Sequence, residues 1–265
     1  MNNFTFCSPT KFVFGRGVTD HVGTELAAAG HRRALIVYGQ GSVVRTGTLD
    51  RVKASLDAAG VAHVELGGVR PNPEIGLVRK GSELAKHEDV DIVLPVGGGS
   101  AMDCAKAAAA AAAMDCTGLE LLRGRPVTDA LPLIAVPTTA GTGSEVGWGA
   151  VLSDHAANAK IAIFGSPMFP RLALVDPVLT YTVPPAVTAS TGLDVIAHSL
   201  DAMCSVRANP VSDGLAVRAA KLAFENLEAA FRDGSDAVAR ERMAMASTIA
   251  GYAFSNTGTT GSHAC

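Results

Sequence analysis

The chain has 265 residues, 48% of them apolar and 18% charged, with a net charge of −3. That length allows a large core and two domains, and that apolar content excludes a disordered chain. A near-neutral balance without a Lys/Arg cluster argues against nucleic acid or an anionic membrane as a partner.

In chain order, Phe4–Phe6 and Lys11–Phe14 read as short strands closed by Gly15-Arg16-Gly17, with a helix over residues 18–29. Ala34–Tyr38 is a buried-type strand ended by Gly39-Gln40-Gly41-Ser42. A helix starting near Thr46–Thr48 keeps Leu49, Val52 and Leu56 on one face until Gly60 stops it. Val61–Leu66 is a strand, Pro71-Asn72-Pro73 a turn and Glu74–Lys86 a helix. Asp91–Val96 is a strand running into Gly97-Gly98-Gly99-Ser100 and a helix, and Leu131–Val136 is a strand again. Trp148–Leu152 and Lys160–Phe164 form a hairpin pattern, and Leu172–Val175 one more strand. From Pro184 onward only helical patterns remain, including Val211–Arg232 and Asp236–Ser255. The β-α alternation predicts a Rossmann-like α/β domain over 1–180, and the helical remainder an all-α domain over 181–265.

No apolar run reaches the roughly 18 to 20 residues of a membrane span. The alanine-rich stretch Ala105–Ala113 is interrupted by Lys106 and reads as a packed helix. The N-terminus has neither a basic nor an apolar leader pattern. Cys7, Cys104, Cys116, Cys204 and Cys265 sit far apart, which points to reduced thiols and a cytoplasmic location.

Three stretches carry chemistry. Gly97–Ser100 sits between a strand and a helix, where glycines let a phosphate approach unpaired N–H groups; a plain tight turn explains it equally well. Asp103 reads either as part of that loop or as an acid in the first helical turn. The loop Val136-Pro137-Thr138-Thr139-Ala140-Gly141-Thr142-Gly143-Ser144-Glu145 follows another strand and offers hydroxyls for phosphate, ribose or amide groups; a polar surface loop is the alternative. In Gly192–Ala202, Asp194 and His198 stand four residues apart, hence on one helix face. Leu193, Ile196, Ala197 and Leu200 surround the pair, which predicts a face shielded from solvent. Carboxylate and imidazole together can hold Zn or Fe(II), while a buried Asp–His hydrogen bond or a half-exposed helix face is the simpler reading.

Taken together, Asn2–Phe6 with Pro9–Gly15, Gly97–Asp103, Pro137–Glu145, Gly192–His198 and Gly261–Ala264 resemble the iron-containing, metal-dependent alcohol dehydrogenase family, in its butanol dehydrogenase and NADPH-dependent aldehyde reductase branch. The resemblance implies a metal between the two domains, held by Asp194, His198 and His263, that acts on the oxygen of a small alcohol or aldehyde while a nicotinamide exchanges the hydride. It implies cofactor contacts from Gly39, Ser42, Gly97, Gly98, Gly99, Ser100, Asp103, Thr138, Thr139, Thr142, Ser144 and Lys160, and a homo-oligomer, a dimer. The metal is Fe2+ or Zn2+. Gly39 stands where many family members carry an acid at the end of the strand, and with Ser42 and Arg45 nearby this predicts NADP(H) over NAD(H). The family's fourth ligand, a further histidine, and the helices after it lie beyond Cys265, so the chain reads as a truncated form whose own turnover is in doubt. It predicts uncovered apolar positions at Leu215, Leu222, Phe224 and Ile249. His21, His31, His63, His87 and His155 read as surface residues without a role. The alternatives are a catalytically dead nucleotide-binding fragment, a polyol dehydrogenase, a maleylacetate reductase that works without metal, or a dehydroquinate-synthase-like lyase.

Overall fold

A computed structural model describes residues 3–154, 158–260 and 263. Contacts divide the chain into two units: Thr10–Thr138 with Trp148–Asp176, and Met1–Pro9 with Thr139–Gly147 and Pro177–Cys265.

The first unit is built on a six-stranded, wholly parallel sheet in the order β1-β8-β5-β4-β2-β3. Its strands are β1 (Lys11–Phe14), β2 (Arg33–Gly39), β3 (Ala62–Val69), β4 (Ile92–Gly97), β5 (Ile134–Pro137) and β8 (Leu172–Val175). Every residue of β4 is buried, as is every residue of β5 and β8, which is why these segments show apolar runs instead of alternation. The helices are α1 (Val22–Ala28), α2 (Ser42–Arg45), α3 (Thr48–Ala58), α4 (Ile75–His87), α5 (Gly99–Ala113) and α6 (Gly118–Leu122). Residues 107–111, all alanine, are wholly buried in α5, so small side chains let this helix lie close against its neighbours. Lys106, also buried, donates from Nζ to the Gly149 carbonyl at 3.1 Å and so satisfies its charge against the hairpin β6 (Gly149–Asp154) and β7 (Ala159–Phe164).

The strand order reverses between β2 and β4. From β2 the chain adds β3 on one side, then returns to place β4 on the other. Tyr38 and Val96 are register partners there, so the two glycine loops, 39–42 and 97–100, leave the carboxyl ends of adjacent strands. That is where parallel α/β sheets open a crevice for a ligand.

The second unit contains α7 (Pro185–Cys204), α8 (Pro210–Arg232) and α9 (Ala237–Thr257). Their starts follow from local chemistry. Pro185 and Pro210 occupy the first turn, where no N–H is needed, and the Asn209 side chain accepts from the Val211 and Ser212 amides. Val195, Leu222, Ala223, Met243, Ala246 and Ala250 form the core between these helices.

The sheet and helices fit the predicted fold class; several local readings need correcting. Phe4–Phe6 is irregular; this segment packs with the helical unit, where Cys7 N–H meets Asn256 Oδ1 at 2.7 Å, and it pairs with no strand among the described residues. The helix expected over 18–29 begins as a 3-10 turn, Val18–His21. The short α6 was missed although Thr117 and Glu120 make a reciprocal capping box, a pattern visible in the sequence. His31 and His63 are half-buried, near Asp91 and Asp57 at 3.5 Å each, while His155 lies outside the described residues. Of the apolar positions expected to be uncovered, Leu222 is buried, Leu215 and Ile249 are half-buried, and Phe224 is 69% exposed.

Candidate metal and nucleotide sites

Helix α7 sets the geometry of the metal candidates. Asp194 and His198, one turn apart on it, place Asp194 Oδ1 and His198 Nε2 3.8 Å from each other. Nε2 of His263 comes within 3.3 Å of the same carboxylate oxygen. One donor atom from each of the three residues lies within 4.8 Å of the others. The apolar surroundings differ from expectation: Ile196 is buried, but Leu193 and Leu200 are 59% and 49% exposed because they project from the opposite side of α7. Shielding comes from rings instead. The His198 imidazole stacks on Phe254 with centroids 4.3 Å apart and on His263 at 4.4 Å.

Burial in that stack lowers the His198 pKa, against the opposing pull of the Asp194 carboxylate. A neutral imidazole offers a lone pair, and a carboxylate beside two imidazoles at this spacing is a donor set for a divalent cation. The chemistry of these donors therefore fits the metal that the motif pattern predicts.

In the α/β unit, the residues from the glycine loop are Gly97, Gly98, Gly99 and Ser100. Gly98 caps α5 without a side chain, so no side-chain oxygen covers the first-turn N–H groups. A β-carbon on Gly97 would come 2.8 Å from that of Ala101, so the strand-to-helix turn needs its glycine. Asp103 is the fifth residue of α5 rather than a first-turn acid, and its Oδ2 accepts the Val151 amide at 3.0 Å. Gly39 and Ser42 lie at the end of β2 and start of α2, and a terminal nitrogen of the Arg45 guanidinium hangs over Gly41, 3.4 Å from where a β-carbon would stand. Lys160 is exposed on β7. Thr138 belongs to this unit and donates its N–H to the Gly97 carbonyl at 3.0 Å.

Thr139, Thr142 and Ser144 are grouped with the helices. Thr142 Oγ1 accepts the Ser144 amide at 3.3 Å, and Gly143, at φ 58°, lets the loop press against Gly251 of α9. The loop is anchored further by the buried Glu145, whose Oε1 accepts from Thr248 Oγ1 at 2.8 Å. Sequence reasoning passed over two contributors here, Phe254 and Asp201. Nothing in the sequence marks Phe254. Asp201, however, stands seven residues after Asp194 and shares its helix face.

The description "Iron-containing alcohol dehydrogenase" belongs to the family model matching residues 9–177, and the C-terminal model of the same family matches residues 188–265. Alcohol dehydrogenase 4 of Schizosaccharomyces pombe is 36% identical over 95% of the chain and 60% of its own length. NADH-dependent butanol dehydrogenase A of Clostridium acetobutylicum is 36% identical over 94% of the chain and 64% of its own length. Among solved structures, sulfoacetaldehyde reductase from Bifidobacterium kashiwanohense in complex with NAD+ superposes with a TM-score of 0.94 at 36% identity, over 100% of this chain and 70% of that one. The chain thus spans less than two thirds of the length of these two curated dehydrogenases.

Proposed function

The chain belongs to the iron-containing alcohol dehydrogenase family, and from that premise we propose that the protein it represents transfers a hydride between NAD(P)(H) and a small alcohol or aldehyde. The observation that carries the reading is the convergence of Asp194, His198 and His263 donor atoms within 4.8 Å, with the His198 imidazole buried. These three residues would hold a divalent metal, Fe2+ or Zn2+, which when bound supplies Lewis-acid polarisation of the substrate oxygen. The chain's own contribution is to orient the donors. The Phe254–His198–His263 stack fixes both imidazoles edge-on to the site, and the carboxylate of Asp194 sets the charge between them.

The nucleotide is assigned to the carboxyl ends of β2 and β4. There the Gly97–Gly99 backbone lets a pyrophosphate reach the start of α5, and the hydroxyls of Ser100 and Thr138 are offered as further donors. The finer reading is NADP(H) over NAD(H). Gly39 brings no carboxylate to repel a 2′-phosphate, and Arg45 reaches back over Gly41. The Clostridium and Bifidobacterium relatives are named for NADH and NAD+, so nucleotide choice is where this chain would part from them. Cytoplasmic location and a dimer complete the proposal. Cys7, Cys104, Cys116 and Cys204 are free, and no described helix is long and apolar enough to cross a membrane.

The test is metal content and NADPH turnover of the wild type beside Asp194→Ala and His198→Ala. Wild type should carry stoichiometric metal, and either variant should lose most of it while still binding nucleotide. Full metal occupancy in both variants would return the pair to two neighbouring polar groups on one helix face, 3.8 Å apart.

A further inference from the structure

Asp201 extends the row begun by Asp194 and His198, at i, i+4 and i+7 on one face of α7. Its side chain is only 5% exposed, and the hydride-transfer reading gives it no task. Among the described residues, donors from His263 and Thr260 meet it. Oδ2 accepts from His263 Nδ1 at 2.6 Å and from the Thr260 amide at 2.9 Å, and Oδ1 accepts from the Thr260 hydroxyl.

A carboxylate accepts hydrogen bonds and does not donate them. In a neutral His263 ring, the contact at 2.6 Å puts the single proton on Nδ1 and the lone pair on Nε2. Nε2 is the nitrogen that faces Asp194 Oδ1 at 3.3 Å. A metal ligand must present a ring nitrogen without its proton, so Asp201, holding the proton on Nδ1, prepares the ring for a ligand it does not itself touch. The hold on Thr260 serves the same end, because His263 N–H in turn donates to the Thr260 carbonyl at 3.1 Å.

We propose that Asp201 is a positioning residue: it fixes the proton and plane of the His263 ring so that Nε2 is presented to the metal, and it ties the segment bearing His263 to α7. This rests on the metal reading above. Carboxylates behind metal-binding histidines characteristically change metal affinity by about 10- to 100-fold.

The experiment measures two quantities on the same chains, labelled with 15N-histidine and with His263→Gln used for assignment. One is the ring nitrogen shifts of His263 without metal, and the other is the dissociation constant for Co2+. Wild type should show the proton on Nδ1. Asp201→Asn, whose amide can also donate, should populate the Nε2–H form and bind Co2+ about 10- to 100-fold more weakly. Thr260→Val keeps the Asp201–His263 contact and should leave the ring proton in place. A wild-type ring protonated on Nε2 would overturn the proposal without any variant. So would wild-type affinity in Asp201→Asn, or a loss in Thr260→Val as large as in Asp201→Asn. A wild type that takes up no Co2+ would defeat the metal reading alone, and the ring shifts of wild type and Asp201→Asn then decide the role of Asp201.

Discussion

The helical unit and the α/β unit place their candidate chemistry in different parts of the polypeptide. On α7 it resides in side chains, with Asp194, His198 and Asp201 on one face and rings stacked against His198. At the ends of β2 and β4 it resides in backbone, and the important positions are those that lack a side chain. A side-chain site fails when a donor atom is removed. A backbone site fails when an atom is added. The contrast can be tested by adding atoms to glycine in both units and comparing the losses.

The largest loss should come from Gly143→Ala. Gly143 adopts φ 58°, and a β-carbon there would stand 2.5 Å from Gly251 Cα and 3.0 Å from the Ser247 carbonyl oxygen. Both obstacles are backbone and cannot rotate away. The left-handed conformation and the forced separation together should cost about 3 kcal/mol. Thermal unfolding should then begin roughly 10 °C lower. Gly214→Ala, on α8 with open space around it, is the control; it should be neutral or slightly stabilising. Equal melting temperatures for Gly143→Ala and the control would mean that the hydroxyl-rich loop is not pressed against α9.

Next in size is Gly39→Asp, where addition acts on function rather than on folding. A β-carbon at Gly39 meets nothing nearer than the Val69 carbonyl oxygen at 3.6 Å, so the fold accepts an aspartate. Its charge would face a 2′-phosphate, and forfeiting charged hydrogen bonds of roughly 1.5 to 3 kcal/mol should weaken NADPH binding about ten- to hundredfold. NADH should bind as well or better. Fluorescence titration of both nucleotides is the measurement; equal wild-type affinities would remove the basis for preferring NADP(H).

How much was legible in the sequence follows the same division. The strands β4 and β8 and the long helices could be read because burial leaves an apolar run or a 3.6-residue period. Asp194 and His198 could be paired because helix spacing fixes which residues share a face. The meeting of the two glycine loops at the ends of β2 and β4 could not be read in the same way. Two glycine loops are visible, but that they leave adjacent strands depends on the order in which the sheet assembles. The grouping of 139–147 with the helices was hidden for a similar reason, since the Gly143–Gly251 and Glu145–Thr248 contacts join residues about a hundred positions apart. Phe4–Phe6 misled because aromatic residues favour strands only when a neighbouring strand exists.

The smallest expected effect concerns pH and the way the helical unit buries a polar group beside its loop. The Tyr252 hydroxyl on α9 is pushed up to about 12, first by burial and then by the charge of Glu145, with a hydrogen bond to Ser8 partly opposing them. The folded state therefore holds the phenol proton more tightly than the unfolded chain, in which tyrosine ionises near 10.0. A raised pKa of this sign gives a contribution that is fully present below pH 10 and is lost as pH rises toward 12. Stability should fall across that window more steeply in wild type than in Tyr252→Phe, which has no proton to lose. Below pH 9 the two should run parallel, separated only by the lost Ser8 contact. Urea midpoints collected from pH 8 to 11.5 would show the divergence. Identical alkaline slopes would mean that Tyr252 ionises as freely in the fold as outside it, and that Glu145 and α9 do not enclose its hydroxyl.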